Sequence, residues 1–308
     1  MKRTALCGLF VVVVAACSGP DSAATTTSTL GGAGFPTTVE ADNGSVTIDQ
    51  RPVAIISLSS TATEMLFAIG AGPQVMAVDD QSNYPTEAPV TDLSGFTPNL
   101  EAILSYEPDL VVITFDPGEL IAGLETAGVP VLSYTAAFTI DDVYRQMEAL
   151  GAATGNSEIA QQANETIEAD LAEIVENSAG VGDDVTYYHE IDALLYTVTS
   201  STFFGEIYGL FGMDNVADPA DEDGSFFGYP QLSEEYVVAS DPNIIYLANV
   251  LYGESAETVA TRPGWDVMTS VKNGDIVELD SDVASRWGPR IVEFAQSIAD
   301  GLEEYQRG

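Results

Sequence analysis

Short apolar runs rich in β-branched residues alternate along the chain with stretches whose apolar positions recur every three or four residues. VAIISL (Val53–Leu58), LVVITF (Leu110–Phe115) and VPVLSY (Val129–Tyr134) are apolar at nearly every position, so strands made of them need cover on both faces. Helical stretches open at Thr61, Asn99 and Gly118. The same order returns in VTYYHEI (Val185–Ile191), IIYLANV (Ile244–Val250) and DIVELD (Asp275–Asp280), with helices opening near Thr202, Ser233 and Gly288. Buried strands alternating with helices predict parallel sheets covered on both faces, here two three-layer α/β lobes. Between them, Ile140, Val143, Met147 and Leu150, then Ile159, Ala163, Ile167, Leu171 and Ile174, fall at helical spacing. They predict a long helical connector, interrupted at Gly155-Asn156.

Two echoes tie the lobes together. NLEAILSYEPDLVVI (Asn99–Ile113) matches LSEEYVVASDPNIIYL (Leu232–Leu247), with Pro108 and Pro242 each stopping a helix ahead of a strand. TATEMLFAIGA (Thr61–Ala71) matches SSTFFGEIYGLFG (Ser200–Gly212), a lone Glu64 or Glu206 leading to Gly70 or Gly212. Thr61-x-x-Glu64 also reads as a capping box, whereas Phe203, at the matching place, cannot cap.

The termini and the charge add an address. Met1-Lys2-Arg3, an apolar stretch over Leu9–Ala16 and Val14-Ala15-Ala16-Cys17 read as a secretory signal over residues 1–16. V-A-A-C resembles the lipobox of bacterial lipoproteins, which makes Cys17 the lipidation site. Residues 17–38 are Ser, Thr, Gly, Ala and Pro with hardly a charge and predict a tether. The remaining boundaries are 39–138 for the first lobe, 139–180 for the connector and 181–308 for the second lobe. The formal net charge of −39 argues against nucleic acid and anionic lipid surfaces as partners, since both require basic patches.

T-E-M-L-F-A-I-G, S-N-Y-P, N-L-E-A-I-L-S-Y-E-P-D-L-V-V-I, the helical bridge, G-W-D and G-D-I-V-E-L-D, in this order, resemble the helix-linked substrate-binding lipoproteins of ABC importers for ferric siderophores, vitamin B12 and haem. The resemblance covers roughly residues 46 to 305. It implies a ligand cleft between the lobes, and a protein anchored by lipid to the outer face of a bacterial cytoplasmic membrane. Its partners would be an ABC permease dimer with its ATPase and a metal-chelate small molecule, either a siderophore or a corrinoid. It also implies that an exposed acid on each lobe's first helix meets a permease arginine. Glu64 and Glu206 are placed in that docking role.

In open α/β sheets ligands lie off the carboxyl ends of the strands. In the first lobe that rule selects Ser60, Asp80, Asn83, Tyr84, Phe96 and Phe115 for the cleft. In the second it selects Ser201, Phe203, Phe227, Tyr229, Tyr252, Arg286 and Trp287. Aromatic side chains dominate, which suits a bulky conjugated ligand. Arg286 is the candidate for an anionic group on it. His189 is the one histidine, too few for a bare transition-metal site, and is expected inside the lobe with a hydrogen-bond partner. No protein-bound metal and no cofactor is expected. Two alternatives remain: a haem-binding surface receptor, and a secreted hydrolase using Ser201, His189 and Asp192. No G-x-S-x-G, P-loop or G-x-G-x-x-G supports an enzyme.

Overall fold

The computed structural model describes residues 34–307. The signal segment, Cys17 and most of the tether lie outside the described residues. A hairpin of β1 (Thr37–Ala41) and β2 (Gly44–Ile48) comes first, starting inside the stretch read as tether. The first lobe then runs β3 (Ile55–Leu58), α1 (Ser60–Ala68), β4 (Val75–Val78), α2 (Leu100–Leu104), β5 (Leu110–Ile113), α3 (Leu120–Thr126) and β6 (Val131–Ser133). Two helices follow, α4 (Ile140–Thr154) and α5 (Ser157–Asn177). The second lobe runs β7 (Thr186–Glu190), α6 (Phe203–Leu210), β8 (Asp214–Asn215), α7 (Glu234–Ser240) and β9 (Ile244–Leu247). It ends with α8 (Ala256–Ala260), α9 (Thr269–Asn273), β10 (Ile276–Glu278) and α10 (Ile291–Arg307).

Both four-stranded sheets are parallel, in the orders β4-β3-β5-β6 and β8-β7-β9-β10. Numbered within its own lobe, each is 2-1-3-4, so the two lobes repeat one topology. The direction of winding reverses beside the first strand of each sheet. Crevices therefore open at the carboxyl ends of β3 and β5, and of β7 and β9.

The strands show why continuous apolar runs were needed. Successive side chains alternate faces, and each face has its own core. Ile55, Leu110 and Val112 join α1, α4, α5 and α10 in one large core that runs through both lobes, as do Tyr187, Ile244 and Tyr246. Ile56, Leu58, Val111 and Ile113 instead meet Ile103, Leu120 and Leu124. Tyr188, Ile245 and Leu247 meet Val237, Trp265 and Met268.

The connector turns sharply but is pinned. Gly155 takes the left-handed conformation (φ 72°), and Asn156 donates to Gln74 Oε1 at 2.9 Å. Arg51 donates to Thr154 O and to Asn156 Oδ1, each at 3.0 Å. A Cβ on Gly151 would sit 2.5 Å from the Ala160 methyl, so only glycine lets α4 and α5 approach this closely. Among the described residues no helix is long and apolar enough to cross a membrane.

Candidate functional site

A cleft of about 390 Å³ opens where the carboxyl ends of the two sheets face each other. The first lobe supplies Ser59, Ser60 and Thr61 after β3, Thr114 and Phe115 after β5, and Asp79, Gln81, Gly95 and Phe96 from neighbouring loops. The second lobe supplies Leu251 and Tyr252 after β9, and Asp282, Ser285, Arg286 and Trp287 ahead of α10.

Local chemistry places these groups. Ser59, not Thr61, caps α1: its hydroxyl accepts from Ala62 N at 3.2 Å and from Thr114 Oγ1 at 2.7 Å. That fixes the two strand ends against each other. Gly95 lies so close to the β3 carboxyl end that a Cβ would fall 2.6 Å from Leu58 O and 2.7 Å from Asp79 Oδ2. This close approach carries Phe96 over the cleft, where its ring centroid is 6.1 Å from that of Phe115. Burial pushes the Asp79 carboxyl up from its ordinary value, although the Ser82 hydroxyl donates to it at 2.5 Å. Trp287 is held by its indole N–H, which donates to Gln146 Oε1 of α4 at 3.2 Å.

The docking role expected of Glu64 is corrected. Glu64 is 2% exposed and lies at the joint between the lobes. Its Oε1 accepts from Arg286 Nη1 and from Arg290 Nη2, both at 2.7 Å, and its Oε2 accepts from Arg290 Nε at 2.9 Å. Burial pulls the Arg290 guanidinium down, but the Glu64 hydrogen bond and charge outweigh it and hold Arg290 above its ordinary value. Tyr84 lies under Arg290, 4.3 Å from guanidinium carbon to ring centroid. Asn83 Nδ2 donates across the lobes to Asp282 Oδ2 at 2.8 Å. These contacts form an inter-lobe lock, and a permease arginine cannot reach its central carboxylate.

Arg286 is corrected with it. Besides Glu64 it donates to Asp282 Oδ1 at 2.8 Å and to Gln81 O at 3.1 Å. It lines the cleft, yet its charge is already matched by two carboxylates and is not free for an anionic ligand group. Glu206 is half-buried and has a different duty: its Oε2 accepts from Ile140 N at 2.7 Å, closing the first turn of α4. The α6 cap is Thr202, whose hydroxyl accepts from Gly205 N.

Of the residues selected for the cleft, the structure brings Ser60, Phe96, Phe115, Tyr252, Arg286 and Trp287 together. Asn83 and Tyr84 belong to the lock. Asp80 and Ser201 are exposed and are not in the cleft wall, and Ser201 pairs with Thr199 Oγ1 at 2.8 Å. Phe227 is 78% exposed with φ 53°, outside the wall. Phe203 is buried, and with Tyr229 it lines a second cavity. Sequence reasoning missed Asp79, Gly95, Thr114, Leu251 and Asp282. For Asp282 the one signal was its place four residues before Arg286.

His189 is fully buried on β7, and its Nδ1 lies 2.9 Å from the Tyr208 hydroxyl. The other ring nitrogen, Nε2, has no partner among the described residues and Ser201 pairs with Thr199 instead, so the hydrolase alternative lacks its Ser–His pair. Burial drops the imidazole to about 3, so the folded protein excludes a proton that the unfolded chain binds below about pH 6.5. Stability therefore rises with pH through that window and falls as pH drops from 6.5 toward 3. His189→Phe is expected to remove about 1.4 kcal/mol per pH unit from the acid slope. Urea unfolding at pH 5 and pH 7.5 measures this, and equal slopes in both proteins would contradict it.

Among the described residues no three His, Cys, Asp or Glu side chains gather to hold a metal ion. A larger depression of about 660 Å³ runs between the hairpin, the segment that follows β6 and α4, and carries Glu40, Asp42, Asp142, Arg145 and Glu148. Two aromatic residues, Tyr134 and Phe138, line it beside these charged groups.

The periplasmic binding protein family model matches residues 55–283. An uncharacterised ABC transporter substrate-binding lipoprotein of Bacillus subtilis is 30% identical over 96% of this chain and 94% of its own length. A cobalamin-binding protein of Halobacterium salinarum is 29% identical over 87% of this chain and 74% of its own. Among solved structures, the periplasmic vitamin B12 binding protein of Vibrio cholerae superposes with a TM-score of 0.65 at 25% identity. That match covers 83% of this chain and 98% of the other.

Proposed function

The chain belongs to the periplasmic binding protein family, and from that premise we propose that it captures a metal chelate outside the cytoplasm and hands it to an ABC permease. A corrinoid is the leading chelate and a ferric siderophore the second. The observation that carries this reading is the make-up of the cleft. Phe96, Phe115, Tyr252 and Trp287 offer aromatic faces, while Arg286, the one cation in the lining, is already neutralised. Such walls favour a large conjugated ligand of low charge over a polyanionic one. The cobalamin-binding relatives point the same way. Haem is disfavoured because its carboxylates would find no free cation in the cleft lining, where Tyr252 is the one side chain able to meet its iron.

Equilibrium dialysis against cyanocobalamin, a ferric hydroxamate and haemin tests the reading. Saturable binding of one chelate is expected. Phe96→Ala/Phe115→Ala should lose about 2 kcal/mol, roughly 30-fold in affinity. Retention of none of the three would overturn it.

Docking requires exposed acids at matching places on the two lobes, and the helix–Pro–strand echo supplies them. Asn99 caps α2 and Ser233 caps α7. Glu101 and Glu235, each two residues after its cap, are both exposed. These acids replace Glu64 and Glu206 in the docking proposal. Glu101→Ala/Glu235→Ala is expected to lower chelate uptake in cells roughly fivefold, with the dissociation constant unchanged. Unaltered uptake would remove these residues from the interface. Attachment through Cys17 is part of the same proposal, and Cys17→Ser should release the protein into the medium.

A further inference from the structure

A cavity of about 250 Å³, walled mostly by the second lobe and closed by Ala136 and Ala137 of the first, shares Trp287 and Ser285 with the cleft but extends behind them, toward the carboxyl end of β7. Its mouth is at the exposed Ala136 and Ser285, and its walls are the buried Val198, Phe203, Phe204 and Ala284. Its titratable side chains are Tyr229 and His189, and His189 is fully buried.

The orientation of His189 decides what the cavity can hold. Nδ1 faces the Tyr208 hydroxyl at 2.9 Å, and Tyr208 is not a wall residue. Nε2 is buried and has no partner among the described residues. His189 is the only partner of the Tyr208 hydroxyl among those residues. If Nδ1 carried the proton, both the hydroxyl hydrogen and the Nε2 lone pair would be stranded in an apolar interior. If the hydroxyl donates to Nδ1, only an Nε2–H is left over. The second arrangement is favoured, because each stranded polar group costs the solvation it gave up. The cavity thus presents one buried, unpartnered N–H donor, that of His189, on mostly apolar and largely aromatic walls that also carry the hydroxyls of Tyr229 and Ser285. Its charge is fixed as well: burial holds the ring neutral at any physiological pH, so nothing in the wall attracts an anion.

We propose that this cavity is a binding site for a neutral, planar heteroaromatic group carrying one hydrogen-bond acceptor, which receives the His189 Nε2–H. A cavity of about 150 Å³ takes a benzene ring. The larger volume here suits two fused rings with an unprotonated ring nitrogen. The site stands apart from the identity of the chelate: its ring is either a free small molecule or part of the captured ligand.

A single histidine makes the test clean, since one imidazole resonance pair reports on the site in the full chain. At pH 8, benzimidazole is expected to move the His189 Nε2 signal saturably, with a dissociation constant of about 1 mM. Indene, the same shape without the acceptor, should bind about tenfold more weakly. By saturation-transfer NMR, His189→Phe should bring the two probes to equal affinity. Ala136→Phe, a change at the exposed rim, should block both without touching the core. A His189 signal that stays still up to about 10 mM benzimidazole, or equal affinities for the two probes in the unaltered protein, would overturn the proposal. Adding cyanocobalamin to the benzimidazole-saturated protein separates the sources. Displacement assigns the ring to the chelate, and simultaneous binding assigns it to a separate small molecule.

Discussion

Replacing Glu64 by alanine should destabilise the protein by about 3–5 kcal/mol, because it leaves two guanidinium groups at the lobe joint without their shared carboxylate. Arg286 and Arg290 are 8% and 11% exposed in their side chains, and that of Glu64 is 1% exposed. Neither cation can recover its hydration without parting the lobes. Urea unfolding gives the number, and a double-mutant cycle with Arg290→Ala gives its origin. If the loss comes from stranded charge, removing one of the two cations as well recovers part of it. A loss below about 1 kcal/mol would mean that water reaches the joint and the lock contributes little.

Arg262→Leu should have an effect of the same size for the same reason, about 3–5 kcal/mol, inside the second lobe. Glu190 ends β7 with no exposed surface. It accepts two hydrogen bonds from Arg262, each 2.6 Å, and one from Asn249 at 2.9 Å. Burial pulls the Arg262 guanidinium down, but the bonds and charges of Glu190 and Glu254 outweigh it and hold it above its ordinary value. The guanidinium carbon also lies 4.5 Å from the Trp265 ring centroid. Leucine keeps apolar contact with the indole but leaves Glu190 as an unpaired buried charge. Arg262→Leu/Glu190→Leu should therefore be more stable than Arg262→Leu alone. A double variant no more stable than the single would show that packing, not charge, carries the interaction.

Most of the strands legible in the sequence were those buried on both faces, and the partly buried β10 was legible as well. Ile55–Leu58, Leu110–Ile113 and Ile244–Leu247 are apolar at nearly every position. β8 escaped because it is a two-residue polar edge strand, whereas β4 (VMAV), as long as β3 and as apolar, was overlooked. β4 has four residues with Met76 exposed. The repeated order of the lobes was legible for the same reason, since it rests on buried runs.

The chemistry of Glu64 was not legible. Its partners lie 222 and 226 residues away, and periodicity carries no information about pairing across a joint. Scarcity of cations was a usable clue. With only nine Lys and Arg in the chain, two arginines four residues apart on either side of Gly288-Pro289 should have been matched to a buried acid before a ligand. The cleft was half legible: the strand-end rule found its aromatic faces but did not exclude Asp80, Ser201 and Phe227, which are not in its wall.

Chelate capture in the inter-lobe cleft is tested most directly by tryptophan fluorescence, because the two indoles occupy opposite situations. Trp287 lines the cleft, whereas Trp265 is wholly buried in the outer core of the second lobe. Titration with cyanocobalamin, corrected for its absorbance, is expected to quench emission saturably, and Trp287→Phe should remove most of that quenching. Undiminished quenching in Trp287→Phe, or none with cyanocobalamin, ferric hydroxamate and haemin alike, would contradict capture of a chelate in this cleft.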